Sequence, residues 1–461
     1  MIADALKDIL HCGGLAAGDA DRVRFTGADP VLPTPFHVGT AGAATLGAVG
    51  LAMAKLREYQ TGRHPDVEID VRRAAASLRS GRYVLVNGKP GRDPSNPLSG
   101  FYPVAGGRWI YFHSNLRPHR EALLRVLGVP AERSRVAEAA SRWLALDLEQ
   151  AVDVAGGCAP AVRTPAEWRA LPNTATLVTE PLVEIRKIAD CAPIALPGAD
   201  RPLNGIRALD LTRVTAGPTC GRLLAEYGAD VLKITCERHP DSYSSETDTL
   251  FGKHKATLDI ATPAGRDRFT ALLRDCDVFC QAYRRDAMTG LGFSPEQVAM
   301  LRPGIVYTSL SAFGFTGVWR GRRGFDTVVQ AASGMAYVSG RGREPKLTPA
   351  SALDYLAGYL MTFGTLLALV RRAEEGGSYC VNVSLARTSE WLTAMGTFDP
   401  GVVDATPAEF TADELANWMV EVPTPLGQVR RMSPVIGFSD GLLQDLPVWR
   451  DSGNPGPVWA N

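Results

Sequence analysis

Apolar positions along this chain fall into long unbroken runs, short alternating stretches and strand-like clusters spaced by helical segments. From 353 to 370 every residue except Asp354 is uncharged, and the run closes on Arg371-Arg372. A segment that is apolar on all sides over this length predicts a membrane span or the central helix of a large core. Residues 40–54 form a shorter run rich in Gly and Ala. Neither run is flanked by an aromatic belt and the second carries a carboxylate in its first turn, so both are read as buried helices. Alternation at 67–71 predicts a strand, followed by a helix over 72–82. Helices are also expected at 2–10, 119–127 and 133–151, with a strand at 108–113. From Ile206 the period changes. Strands at 206–211, 231–234, 278–280 and 305–310 interleave with helices at 216–227, 263–274 and 295–301. Such alternation predicts a parallel, helix-covered sheet of Rossmann type, with ligands at the carboxyl ends of its strands. Residues 90–105 read as a Pro/Gly/Ser-rich connection, 170–200 as short strands mixed with Pro and Gly at a boundary, and 395–461 as a tail wrapping the surface.

The two apolar runs resemble each other. At an offset of 314, which sets Thr40 against Asp354, Leu46 meets Leu360, Gly50 meets Gly364, Ala54 meets Ala368, Arg57 meets Arg371 and Gly62 meets Gly376. Each run leads into an alternating strand and a further helix. With a gap of two or three residues, Ile69-Asp70-Val71 lies against Val381-Asn382-Val383. This predicts an internal repeat of one supersecondary unit. Its first copy carries Thr40 where the second carries Asp354.

Composition narrows the function. Lys+Arg and Asp+Glu number 49 each in 461 residues, so the net charge is zero, which argues against a nucleic-acid or acidic-membrane partner. The eight cysteines are scattered, with Cys276 and Cys280 the one close pair, so neither a zinc site nor a disulfide framework is expected. Free thiols and a charged start (Asp4, Lys7, Asp8) point to the cytoplasm. The chain has no G-x-G-x-x-G and no P-loop, so NAD and ATP are not supported. Asp354 is the candidate nucleophile. At a helix start the free N–H groups and the dipole stabilise a carboxylate, whether it acts on substrate or simply caps the helix. His113 and His119 are read as surface or core histidines.

The motifs then carry a resemblance. Leu209-Asp210-Leu211-Thr212-Arg213-Val214-Thr215-Ala216-Gly217-Pro218 is followed by Leu223 through Ile234. Next come Gly252-Lys253-His254-Lys255, Tyr283-Arg284, Leu291-Gly292-Phe293, residues 311–317 and Gly324-Phe325-Asp326 with Gln330-Ala331. In this order they resemble the family III CoA-transferases, which include formyl-CoA and carnitine CoA-transferases, with alpha-methylacyl-CoA racemase as a cousin. Residues 1–195 resemble the later part of the same family, and Val422 to Gly427 its closing segment. The order is thus rearranged. The implied fold is α/β, a Rossmann-like parallel sheet domain plus a smaller α+β domain. Residues 1–200 would be a partial copy that includes the smaller domain and lacks the catalytic Asp. Residues 201–461 would be the CoA-binding large domain.

By this resemblance Asp354 is the nucleophile, and Val214, Thr215, Ala216, Arg238, Lys253, Arg284, Leu291, Arg323 and Phe325 lie along coenzyme A. The implied reaction moves CoA from an acyl-CoA thioester to a small carboxylic acid through an aspartyl-CoA intermediate. The implied assembly is a homodimer, interlocked in the family's manner, without a permanently bound cofactor or metal. The sequence departs from the family at Leu353 (usually Gly), Ala282 (usually Asn) and Gly290 (Arg in some members). Phe325 stands where racemases carry a histidine. The alternatives are a catalytically altered CoA- or acyl-CoA-binding protein and a racemase or isomerase of the same family.

Overall fold

The structure, a computed structural model, describes residues 1–91, 96–198, 201–238, 247–441 and 456–459. Its axis is a pair of 24-residue helices, Val38–Thr61 and Ala352–Glu375. Both are long and apolar enough to cross a membrane, yet 94% and 100% of their most apolar windows are buried within the protein. They pack along each other, and the second also lies on the helix Ala216–Glu226. An all-round apolar helix needs neighbours on every side, and these supply them. One close approach fixes the crossing. A Cβ on Gly358 would stand 2.5 Å from the Ala216 carbonyl oxygen and 2.8 Å from the Thr219 Cβ, so this position requires glycine.

Beside the helices lies a seven-stranded sheet in the order Lys253–Thr257, Asp230–Thr235, Arg207–Leu211, Val278–Gln281, Val306–Ser311, Ser378–Ser384 and Glu184–Ala189. Neighbours are parallel except the last, which joins Ser378–Ser384 antiparallel. The inner strands carry the near-continuous apolar character of a sheet covered on both faces. One edge strand has no counterpart in the periodicity: Lys253–Thr257 has the polar sequence Lys-His-Lys-Ala-Thr, whereas Glu184–Ala189 falls in the stretch read as short strands at a boundary.

The repeat is physical. The residues preceding the two long helices, His37 and Ser351, have φ/ψ of −77°/59° and −78°/58°. The strand ends also correspond, but without the expected gap. Asp70 accepts a hydrogen bond from the Arg73 N–H, and Ser384 accepts one from the Arg387 N–H, so the offset of 314 continues unbroken into the next helix. Capping chemistry matches Asp70 with Ser384, which residue identity alone obscured.

The smaller domain is the hairpin Gly100–Val104 and Arg108–Phe112 with the helices Arg117–Leu127, Arg133–Ala140 and Ala145–Val154 around its own core. The single helix expected over 133–151 is two. Trp143 gives its carbonyl to the Ala105 N–H, and Leu144 bridges to Ala105, so tertiary pairing interrupts an otherwise helical sequence. The tail also departs from expectation. Met419–Thr424 and Gly427–Met432 form a hairpin that pairs with Leu85–Val86, and Val429 and Arg431 are buried. Residues 442–455 of that tail lie outside the described residues.

Candidate active site

Asp354 sits in the first turn of the second long helix. It keeps 9% of its surface, whereas Ala352, Leu353 and Leu356 keep none. The free N–H groups of this turn do not serve it, which corrects the expectation that they hold its charge. The Leu353 N–H (2.8 Å) and Asp354 N–H (3.3 Å) both donate to Oδ2 of Asp326. Oδ1 of Asp326 accepts from Gln330 Nε2 at 2.5 Å, and Gln330 Oε1 accepts from the Thr348 N–H at 2.9 Å. Asp326 is thus the cap, supplied from the start of Asp326–Ala332. Among the described residues, no donor hydrogen-bonds the Asp354 carboxylate.

The two carboxyl groups interact. Burial, followed by the nearby Asp326 charge, holds the Asp354 carboxyl well above the usual range. Burial also raises Asp326, to about 6, against the opposing pull of Gln330 and the two N–H groups. Asp326 is the better solvated of the two by protein donors.

Around this pair the predicted residues divide. Val214, Thr215 and Ala216 form the turn after Arg207–Leu211, at the carboxyl edge of the sheet. Val214 has φ +70°, a left-handed conformation that costs a β-branched residue about 1–3 kcal/mol. Phe325 immediately precedes Asp326 and stacks on His113, with ring centroids 4.0 Å apart and planes at 10°. Thr327 Oγ1 lies 3.3 Å from His113 Nδ1. His119 sits 5.6 Å from the Phe325 ring. Burial pushes His113 down to about 3 and His119 to about 4, so both rings are neutral. The smaller domain of this chain therefore packs against the segment that caps the Asp354 helix.

Arg284 and Arg323 line a cleft of about 480 Å³, together with Gln150 and Asp153 of the smaller domain and Trp319. Arg322, also on its wall, is engaged with Glu149 at 3.3 Å and lies 4.1 Å over the Trp319 ring. Among the described residues, the Arg323 guanidinium has no hydrogen bond or ion pair. Leu291 is not on this cleft. It ends the helix Arg285–Gly290 and packs on the core behind the sheet. Arg238 is exposed and paired with Asp259 at 2.6 Å.

Lys253 is a correction. Its ammonium is buried, 2.8 Å from Asp210 Oδ2 and 2.8 Å from the Pro218 carbonyl oxygen. It is committed to an internal ion pair and does not reach a ligand. Three residues of the site carried no assigned role in the sequence. Asp326 and Gln330 were visible only as a motif, although an Asp with Gln four residues on predicts a local hydrogen bond. His113 was set aside as a surface or core histidine.

The model of CoA-transferase family III matches residues 17–195 and 203–414. An acetyl-coenzyme A transferase (nodX) of Hypoxylon pulicicidum is 30% identical over 330 residues, 66% of this chain and 55% of that protein. A formyl-CoA:oxalate CoA-transferase of Afipia carboxidovorans is 31% identical over 198 residues, 40% of this chain and 46% of that one. The chain spans about half the length of these two relatives. A CAIB/BAIF family protein from Brucella suis aligns with a TM-score of 0.39 at 22% identity, over 50% of this chain and 65% of that chain.

Proposed function

The chain belongs to CoA-transferase family III, and from that premise we propose that it moves coenzyme A from an acyl-CoA thioester to a carboxylic acid, with Asp354 as nucleophile. The ionised Asp354 oxygen attacks the thioester carbonyl and the C–S bond breaks, leaving a mixed anhydride and CoA thiolate. The thiolate attacks the aspartyl carbonyl, expels the donor carboxylate and forms an aspartyl-CoA thioester. The acceptor carboxylate attacks that thioester, the C–S bond breaks to release CoA thiolate again, and a second anhydride forms. The thiolate then attacks the acceptor carbonyl, which yields the new acyl-CoA and regenerates Asp354. Every step is acyl transfer between oxygen and sulfur without a change of oxidation state, so no redox cofactor enters.

One observation carries this reading: a carboxyl group at the start of a buried helix, without hydrogen-bond donors among the described residues, in a chain of this family. A cleft with Arg284 and Arg323 on its wall supports the reading, because two guanidinium groups suit the phosphates of coenzyme A. The tight Val214 turn at the sheet's carboxyl edge is where the fold type takes its ligands. The reading includes a homodimer and a cytoplasmic location; eight free thiols are in keeping with a reducing compartment. Incubation with a panel of acyl-CoAs, followed by intact-protein mass spectrometry and peptide mapping, tests it. An adduct on Asp354, with transfer to added carboxylic acids, is expected. Tight acyl-CoA binding with neither adduct nor turnover would favour a binding protein.

A further inference from the structure

We propose that Asp326 is a positioning residue for Asp354: by taking up the N–H groups that open the second long helix, it keeps the charge of the carboxyl pair and leaves the proton on Asp354.

The geometry assigns the donors. A helix start offers a few free N–H groups and a positive dipole end, which is what an anionic side chain there would use. Here the two N–H groups at Leu353 and Asp354 go to Asp326 at 2.8 and 3.3 Å. Gln330 adds a third donor to Asp326 at 2.5 Å, and Thr348 holds Gln330 in place. Asp326 therefore has three donors while Asp354, in the same buried space, has none among the described residues. Two carboxylates in one buried space do not both ionise freely, so the better-ligated one keeps the charge.

The surrounding elements do not alter this. The helix Ala216–Glu226 meets the second long helix with Ala216 and Thr219, which do not titrate, and with Arg222, which is paired with Asp248 at 3.0 Å and lies beside Tyr355 and Tyr359 rather than Asp354. The hairpin strand Arg108–Phe112 brings Tyr111, whose hydroxyl is raised by burial and by Asp326. His113 and His119 are held neutral by burial. Asp326 is the charged group acting on Asp354 among the described residues.

The inference rests on the transferase reading only for its consequence, that Asp354 releases a proton to water before it attacks. Its test needs no substrate. Infrared difference spectra of the full chain, titrated from pH 5 to 9, read neutral buried carboxyl groups directly. A protonated carboxyl band is expected at pH 7 and should disappear in Asp354→Asn. In Asp326→Asn, which keeps an accepting oxygen but no charge, the band should persist and titrate about one pH unit lower. Asp326→Glu should return it to the wild-type midpoint. A cap acting through hydrogen bonds alone would leave the midpoint unmoved, and that result overturns the proposal. So does a band lost in Asp326→Asn and kept in Asp354→Asn. If Asp326→Asn does not fold, the comparison of wild type with Asp354→Asn still decides where the proton sits. Loss of acyl transfer in Asp354→Ala is scored separately and bears on the transferase reading alone.

Discussion

The starts of the two long helices are built alike and carry different side chains. Asp29 accepts the Gly39 N–H at 3.1 Å and the Thr40 N–H at 2.5 Å, as Asp326 accepts the Leu353 and Asp354 N–H groups. The residue ahead of each helix has nearly the same backbone angles. The contrast lies in the side chain and in what surrounds it. At the first start Thr40 is buried, and the Phe398 ring lies tilted at 50° against His37 with centroids 4.0 Å apart. The Phe398 N–H bonds the Pro35 carbonyl, so a segment of the second copy closes over the first start. At the second start Asp354 replaces the hydroxyl, and Phe325, next to the Asp326 cap, stacks on His113. A remote carboxylate as cap belongs to the framework of the repeat. What distinguishes the second copy is a second carboxyl group placed next to that cap.

Substitutions can break this comparison. The largest effect is expected from Asp354→Ala, which should lower acyl transfer by about 10³-fold or more, measured by product formation from acyl-CoA. Thr40→Ala should leave the rate unchanged, and a comparable loss there would remove the distinction. Next comes Lys253→Met. Lys253 holds Asp210 and the Pro218 carbonyl, and so supports the helix packed against the second start. Breaking this buried pair should cost about 3–5 kcal/mol in urea unfolding while the KM for acyl-CoA of the folded protein stays near wild type. Removing either cap, by Asp29→Ala or Asp326→Ala, should cost about 1–2 kcal/mol in the same assay. Only the second should also change transfer.

The smallest effect sharpens the comparison through pH. Asp354 titrates above its unfolded value because it is buried beside Asp326. A carboxyl raised in the folded state favours folding at pH below the unfolded value and loses that contribution as pH climbs through the folded one. Asp354→Asn should therefore melt close to wild type near pH 4 and higher than wild type at pH 8. A difference that shrinks with rising pH would contradict the assignment.

Much of this was legible in the chain. The two apolar runs, the repeat and most strands of the main sheet follow from periodicity, because a buried helix or parallel strand must be apolar on every covered side. Family motifs located Asp354 and the Val214 turn. What escaped depends on partners distant in sequence. Lys253 looks like a ligand-binding cation until Asp210, 43 residues away, is seen to neutralise it. Asp326 looks like part of a motif until the helix 27 residues on delivers its N–H groups. The break between Arg133–Ala140 and Ala145–Val154 is set by Ala105, which no local propensity reports.

The hairpin Met419–Thr424 and Gly427–Met432 has a bearing on biosynthesis. It pairs with Leu85–Val86, and the Gln428 N–H reaches the Asn87 side chain across 341 residues of chain. Val84, Val86 and Phe251 share one small core with Val422 and Val429. During translation the first three of these emerge from the ribosome long before the last two exist. That core must stay open, its apolar faces bare, while most of the protein is made, so newly synthesised chains should be most prone to aggregation and most dependent on chaperones just before residue 430 emerges.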